Sequence, residues 1–262
     1  MEFQATRVAF DGGICRITLA QGARGNPIDG RFCAEIREIG NVLTARADVR
    51  AVLVDAEGPA FSFGGDVTAF ARDLDELPLT IERWTADLHV GIVRLQRIDA
   101  PIVVAIQGVC AGGMTAFIAG ADFAIAANDA RFLTAYAGIG LCSDAGSSIM
   151  LTRRMGFARA RRFLLLNETL TAEAALASGL VDETIASGQL KARAEELTRR
   201  IASGPTRAYG EMRRLLLSAH EQPLEVQLEL EAQALARIAH SRDAREGIRS
   251  FVEKRKPSFV GG

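Results

Sequence analysis

Three strand-length apolar runs, Val49–Ala56, Ile102–Ile106 and Phe123–Ala127, constrain this chain more than any other feature. A strand with one wet face alternates apolar and polar residues; apart from Arg50 and Asp55 near the ends of the first run these segments are continuously apolar, so both faces must be covered. The segments between them carry helical spacing: Phe32–Ala45, Thr80–Arg97 and Met114–Ala119 read as helices, with Asp99-Ala100-Pro101 and Gly108 as breaks. Buried strands alternating with helical crossovers predict a mainly parallel α/β sheet. The chain opens differently, as a hairpin: Phe3–Phe10, a turn at Asp11-Gly12-Gly13, then Ile14–Ala20 with Cys15, Ile17 and Leu19 on one face. After about residue 185 strand signals stop. Helices are expected over Gly188–Ser203, Thr206–His220, Leu224–Ala239 and Arg242–Lys254, with Pro205 and Pro223 at two of the entrances.

A chain of 262 residues without repeats or a Pro/Ser-rich linker reads as one continuous unit with an ample core. Its formal charge of -1 gives no whole-chain case for nucleic acid or an anionic membrane as partner. The first residues lack the basic and apolar regions of a signal peptide, and the longest apolar stretch, Ala116–Ala127, is short and broken by Asp122, so a cytoplasmic protein is expected. Cys15, Cys33, Cys110 and Cys142 have no CxxC spacing and there are 3 histidines, so the cysteines read as apolar filler and no metal site is indicated.

Two glycine-bearing turns stand where a strand ends and a helix begins: Phe61-Ser62-Phe63-Gly64-Gly65-Asp66 and Gly108-Val109-Cys110-Ala111-Gly112-Gly113. Glycine lets backbone approach a ligand closely, and free N–H groups at such turns can hold negative charge. Either turn alone is equally a tight connection. Together, with Gly25-Asn26-Pro27, Ala100-Pro101, Gly156-Phe157-Ala158-Arg159-Ala160, the run Leu170 to Ala175 followed by Gly179-Leu180-Val181, and the ending Phe251 to Lys256, they make the chain resemble the crotonase, or enoyl-CoA hydratase/isomerase, family over almost its whole length.

The resemblance implies a crotonase-like α/β spiral of ββα turns over residues 1–185 and a C-terminal helical region, 186–262, that makes a homotrimer or dimer of trimers. It implies an acyl-CoA thioester as substrate, with coenzyme A as part of that substrate and no other cofactor. The family's oxyanion-hole donors map onto the N–H groups of Phe63 and Gly113, with Gly64, Asp66 and Gly112 beside them. Arg24 is expected near CoA phosphate, and Phe251 and Lys254 of an adjacent subunit near the nucleotide; a solvated surface charge is the alternative for Arg24 and Lys254.

Family hydratases use two glutamates, and a gap-free count from Gly113 puts Ala116 and Tyr136 at those places. Neither is a carboxylate base. In Gly140-Leu141-Cys142-Ser143-Asp144-Ala145-Gly146 a carboxylate stands where the family's isomerases carry their aspartate base, so Asp144 is the leading catalytic candidate. The other reading of Asp144 is an N-cap for a helix starting near Ser147. The expected reaction is a double-bond shift by proton transfer, closest in look to the ring-expanding isomerases of phenylacetate degradation. Three alternatives stay open: an atypical hydratase, a non-catalytic acyl-CoA-binding homologue, and a 4-chlorobenzoyl-CoA dehalogenase with Asp144 as nucleophile and His89 as base. The dehalogenase reading is weakened because Tyr136 stands for its supporting tryptophan, and Ile81 and Leu88 for its aryl-pocket aromatics. His89 and the nearby Trp84 could equally be ordinary helix residues.

Overall fold

A two-residue turn, Gly12-Gly13, joins β1 (Thr6–Asp11) to β2 (Ile14–Leu19) as an antiparallel hairpin in the computed structural model, which describes residues 3–262. The chain continues through α1 (Gly30–Thr44), β3 (Ala51–Ala56), the single turn α2 (Val67–Phe70), α3 (Leu77–Arg97), β4 (Ile102–Ile106), β5 (Val109–Ala111) and α4 (Gly113–Ala119). Then come β6 (Phe123–Ala127), β7 (Arg131–Leu133), α5 (Ser147–Met155), α6 (Phe157–Leu166), β8 (Leu170–Thr171), α7 (Ala172–Ser178) and β9 (Glu183–Ile185). The last helices are α8 (Leu190–Ala202), α9 (Thr206–Ser218), α10 (Leu224–Ala239) and α11 (Arg242–Val252).

The main sheet runs β1-β2-β3-β4-β6-β9 and is parallel from β2 onward, as the apolar runs require. Its even spacing of buried residues serves two cores. Val52, Val54, Val104 and Ala126 face the interior cluster with α1 and α3, while Ala51, Leu53, Val103 and Ile125 meet Leu190, Ala194 and Ile201 of α8 on the other face. α8, expected as part of the C-terminal helical region, is therefore part of the core packing, and Tyr209 of α9 packs against the same cluster.

A second sheet, β5-β7-β8, lies in a separate layer. Each turn of the chain contributes a long strand to the first sheet and a short one to the second before its helix: β4 then β5 then α4, and β6 then β7 then α5. This is the expected spiral of ββα turns. The short layer carries the site, because isolated bridges Ser62 to Cys110 and Ile28 to Gly65 extend it across both glycine-bearing turns.

α3 forms the other side of the site and is held by close packing on α1. A Cβ at Gly91 would sit 2.7 Å from the Ile36 carbonyl carbon, so only glycine permits this approach. Among the described residues no helix is long and apolar enough to cross a membrane.

Candidate active site

The two glycine-bearing turns are locked in register by backbone bonds: Ser62 N–H donates to Val109 O (3.0 Å) and Ala111 N–H donates to Ser62 O (2.9 Å). Gly64, at φ 82°, passes so close that a Cβ there would lie 2.8 Å from Ala111 O. Gly112 N–H donates to Leu133 O (3.0 Å), and Gly64 N–H to Ser62 Oγ (3.0 Å). Phe63 N–H donates to Gly25 O at 2.9 Å. That last bond corrects the sequence expectation, because an N–H already satisfied by a carbonyl cannot serve as an oxyanion donor without breaking it. Two residues on, Gly65 N–H has no acceptor among the described residues, and neither has Gly113 N–H, the first residue of α4. Both glycines line one cavity. Gly65 and Gly113 thus present unpartnered N–H groups at this cavity.

That cavity, about 180 Å³, is walled by Ile28, Phe70, Ile81, Trp84, Leu88 and Tyr136 among others. Trp84 is thus a pocket wall rather than remote packing, with its ring centroid 5.3 Å from that of Phe70. Asp144 is the one carboxylate in the lining among the described residues. Tyr136 Oη donates to Asp144 Oδ1 at 2.5 Å and lies 3.3 Å from Ser147 Oγ, whereas Asp144 Oδ2 has no hydrogen bond among the described residues. The N-cap reading of Asp144 fails. The residue preceding α5 is Gly146, without a side-chain cap, and Ser147 N–H and Oγ–H donate to the main-chain oxygen of Asp144 instead. Burial and the neighbouring Asp144 charge push the Tyr136 phenol well above its ordinary value, so it stays a protonated donor through the neutral range.

Tyr136→Phe removes that donor while keeping the wall. A hydrogen bond to a charged group contributes about 1.5–3 kcal/mol, so any turnover that depends on Asp144 should fall roughly 10- to 100-fold in kcat with KM little changed. Steady-state kinetics of the variant are the check, and wild-type turnover would show that the bond does nothing for Asp144.

The remaining expected residues divide. Gly112 lines the cavity, while Gly64 supports it from behind. Arg24 bridges two helix-capping carboxylates, donating to Asp29 Oδ2 at 2.8 Å and to Asp66 Oδ2 at 2.5 Å. Asp66, expected beside the donors as a substrate-binding residue, caps α2 through Ala69 N–H at 2.9 Å, accepts from Arg24 and lies outside the cavity lining. Ala116 is buried in the core, Phe251 lies in the last turn of α11 and Lys254 just beyond that helix, all outside this lining. His89 is also outside it: the imidazole lines a neighbouring groove between α3, α5 and α9, and its Nε2 accepts from Ala145 N–H at 3.2 Å. Cys33 and Cys142 line the cavity; burial pushes the Cys33 thiol up to about 12, which keeps it protonated, as apolar filler would be, whereas Cys142 is exposed and is not the buried filler expected.

The Enoyl-CoA hydratase/isomerase family pattern matches residues 9–262. Across the whole chain and 99% of the relative, 31% identity links it to the 1,2-epoxyphenylacetyl-CoA isomerase of Escherichia coli K12. The trans-2-decenoyl-[acyl-carrier-protein] isomerase of Streptococcus mutans is 29% identical over 100% of both chains. The 4-chlorobenzoyl coenzyme A dehalogenase-1 of an Arthrobacter species is 29% identical over 87% of this chain and 83% of its own. Among solved structures, the enoyl-CoA hydratase from Polaromonas sp. JS666 superposes with a TM-score of 0.91 at 25% identity, covering 98% of this chain and 100% of the other. The spiral, the paired glycine turns and these matches agree: the chain has the crotonase fold and belongs to the enoyl-CoA hydratase/isomerase family.

Proposed function

We propose that the protein is an enoyl-CoA isomerase that moves a carbon–carbon double bond by proton transfer through a thioester enolate. The observation that carries this reading is a single carboxylate, Asp144, with one free oxygen, in an apolar cavity that also holds the two unpartnered N–H groups of Gly65 and Gly113. In a 3-enoyl thioester the C2 proton is acidic because its removal gives a dienolate. Asp144 Oδ2 takes that proton while negative charge develops on the thioester oxygen, held by Gly65 N–H and Gly113 N–H. The same oxygen returns the proton at C4, leaving the double bond between C2 and C3. No atom is gained or lost, and one carboxylate suffices as base and then acid.

Hydration is less well supported, since adding water across the double bond calls on a second group to place it and Ala116 lies in the core. Dehalogenation is disfavoured by His89. Its Nε2 lone pair is engaged by Ala145 N–H on the groove side, so it is not available as the second base, beside Asp144, that dehalogenation calls on. A purely binding role leaves the free Asp144 oxygen unexplained.

The isomerase names of two relatives support the reaction type, and cavities of about 150 Å³ take up benzene, so about 180 Å³ suits a ring-sized or short acyl group. Exposed Leu228, Leu235, Ile248 and Phe251 on α10 and α11 support burial against further copies in a trimer or dimer of trimers, where Phe251 and Lys254 would reach a neighbouring nucleotide. Purified protein should convert a 3-enoyl-CoA to the conjugated 2-enoyl-CoA, followed by the absorbance of the conjugated thioester, and should release no chloride from 4-chlorobenzoyl-CoA. Chloride release without double-bond migration would replace this reading by the dehalogenase.

A further inference from the structure

We infer that His89 is a positioning residue for Asp144, acting as a latch on the backbone that aims the carboxylate. The inference rests on the isomerase reading for its kinetic consequence, and on geometry alone for the latch. Ala145, the residue after Asp144, is buried and held at φ 53°, a left-handed conformation that side chains other than glycine rarely adopt. Gly146 follows at φ 82°, so the chain turns sharply between the carboxylate and α5. The turn leaves Ala145 N–H with no main-chain acceptor, and His89 Nε2 receives it at 3.2 Å.

Holding Ala145 holds the chemistry, because the same residue packs against the anion-binding turn. A Cβ built on Gly113 would lie 3.0 Å from Ala145 Cβ and 3.3 Å from Asp144 Oδ1, so carboxylate, Ala145 and the Gly113 N–H donor share one tightly packed corner. Release of Ala145 N–H frees this turn to relax from its left-handed conformation, and Asp144 then swings relative to Gly113 and Tyr136. A small misplacement of a base relative to the reacting carbon lowers the rate without weakening binding. Accepting from Ala145 N–H at Nε2 requires the imidazole to carry its proton on Nδ1. It takes no proton from substrate.

A glutamine places its side-chain oxygen about where imidazole Nε2 lies, whereas leucine offers no acceptor, so the pair His89→Gln and His89→Leu separates latch from bulk. In His89→Leu, kcat for isomerisation should fall about tenfold with KM little changed, the value of one hydrogen bond. His89→Gln should recover most of it. The readout independent of turnover is the Ala145 amide, observed in the full-length protein labelled with carbonyl-13C aspartate and 15N alanine, which isolates alanines that follow aspartate. Its proton should move upfield and lose exchange protection in His89→Leu and stay near the wild-type position in His89→Gln. An Ala145 amide unmoved in His89→Leu would overturn the latch, as would a His89→Gln variant as impaired as His89→Leu. Wild-type protein without isomerase activity would sink the reaction reading instead, while the amide measurement would still decide the latch.

Discussion

Asp144→Asn should abolish double-bond migration while leaving thioester binding in place. Asparagine keeps the shape of the side chain and can still accept from Tyr136 Oη through its carbonyl oxygen, so the cavity wall is preserved. What it cannot do is take a proton at the position of Oδ2. General acid–base catalysis by one group contributes roughly 10²- to 10⁴-fold, and no other carboxylate among the described residues lines the cavity to take over, so a loss of about 10³-fold or more in kcat is expected. Binding can be followed in the same variant by fluorescence, since the chain has 1 tryptophan and Trp84 forms part of the wall. Retention of activity within about tenfold of wild type would remove Asp144 from the mechanism, because the loss is then smaller than general base catalysis supplies. Loss of activity together with loss of binding would place Asp144 in substrate recognition instead.

The sequence carried the fold well where the physical signal is long. Ile102–Ile106 and Phe123–Ala127 are strands with the expected bounds, because a fully buried parallel strand leaves a continuous apolar run, and Leu224–Ala239 is a helix entered at Pro223. The short strands Val109–Ala111, Arg131–Leu133 and Leu170–Thr171 were not legible, since two or three residues have no periodicity to read. They matter most, as they form the layer that presents the site.

Within the site, residue types were legible but hydrogen-bond partners were not. The turn containing Phe63, Gly64 and Gly65 stands out by its glycines, yet which of its N–H groups remains free depends on Gly25 O and Ser62 Oγ, and the first of these comes from a distant part of the chain. Phe63 N–H is taken by Gly25 O, and the unpartnered N–H lies two residues away at Gly65. A usable signal was present: Gly65 is the residue that opens toward α2 after the positive-φ Gly64, the kind of helix-entry position that leaves N–H groups unpartnered. Arg24, Asp66 and His89 show the same limit, because each has a partner brought up by folding: Asp29 and Asp66 for Arg24, Ala69 N–H for Asp66, Ala145 N–H for His89. Asp144 stood out through the family resemblance: with Ala116 and Tyr136 at the glutamate positions, it is the carboxylate that matches the aspartate of family isomerases.

Gly65→Pro tests the proposed donor, and its comparison with Gly65→Ala isolates the N–H from the space around it. Gly65 lies outside the left-handed region, and the nearest atom to a Cβ there would be Phe70 Cε2 at 3.4 Å, an ordinary contact. Alanine should therefore fit, keep its N–H and leave activity within a few-fold of wild type. Proline deletes the N–H and places ring carbon where the thioester oxygen would be held. Gly64 precedes it without a Cβ, which relieves part of the steric restriction proline imposes on its neighbour. Loss of one oxyanion donor lowers the rate roughly 10²- to 10³-fold, so kcat/KM of Gly65→Pro should fall at least that far below that of Gly65→Ala. Thermal melting of both variants controls for folding. If a folded Gly65→Pro turns over as fast as Gly65→Ala, the oxygen is not held at Gly65; the thioester would then have to displace Gly25 O from Phe63 N–H, exchanging one hydrogen bond for another and gaining little of the stabilisation a free, preorganised donor provides.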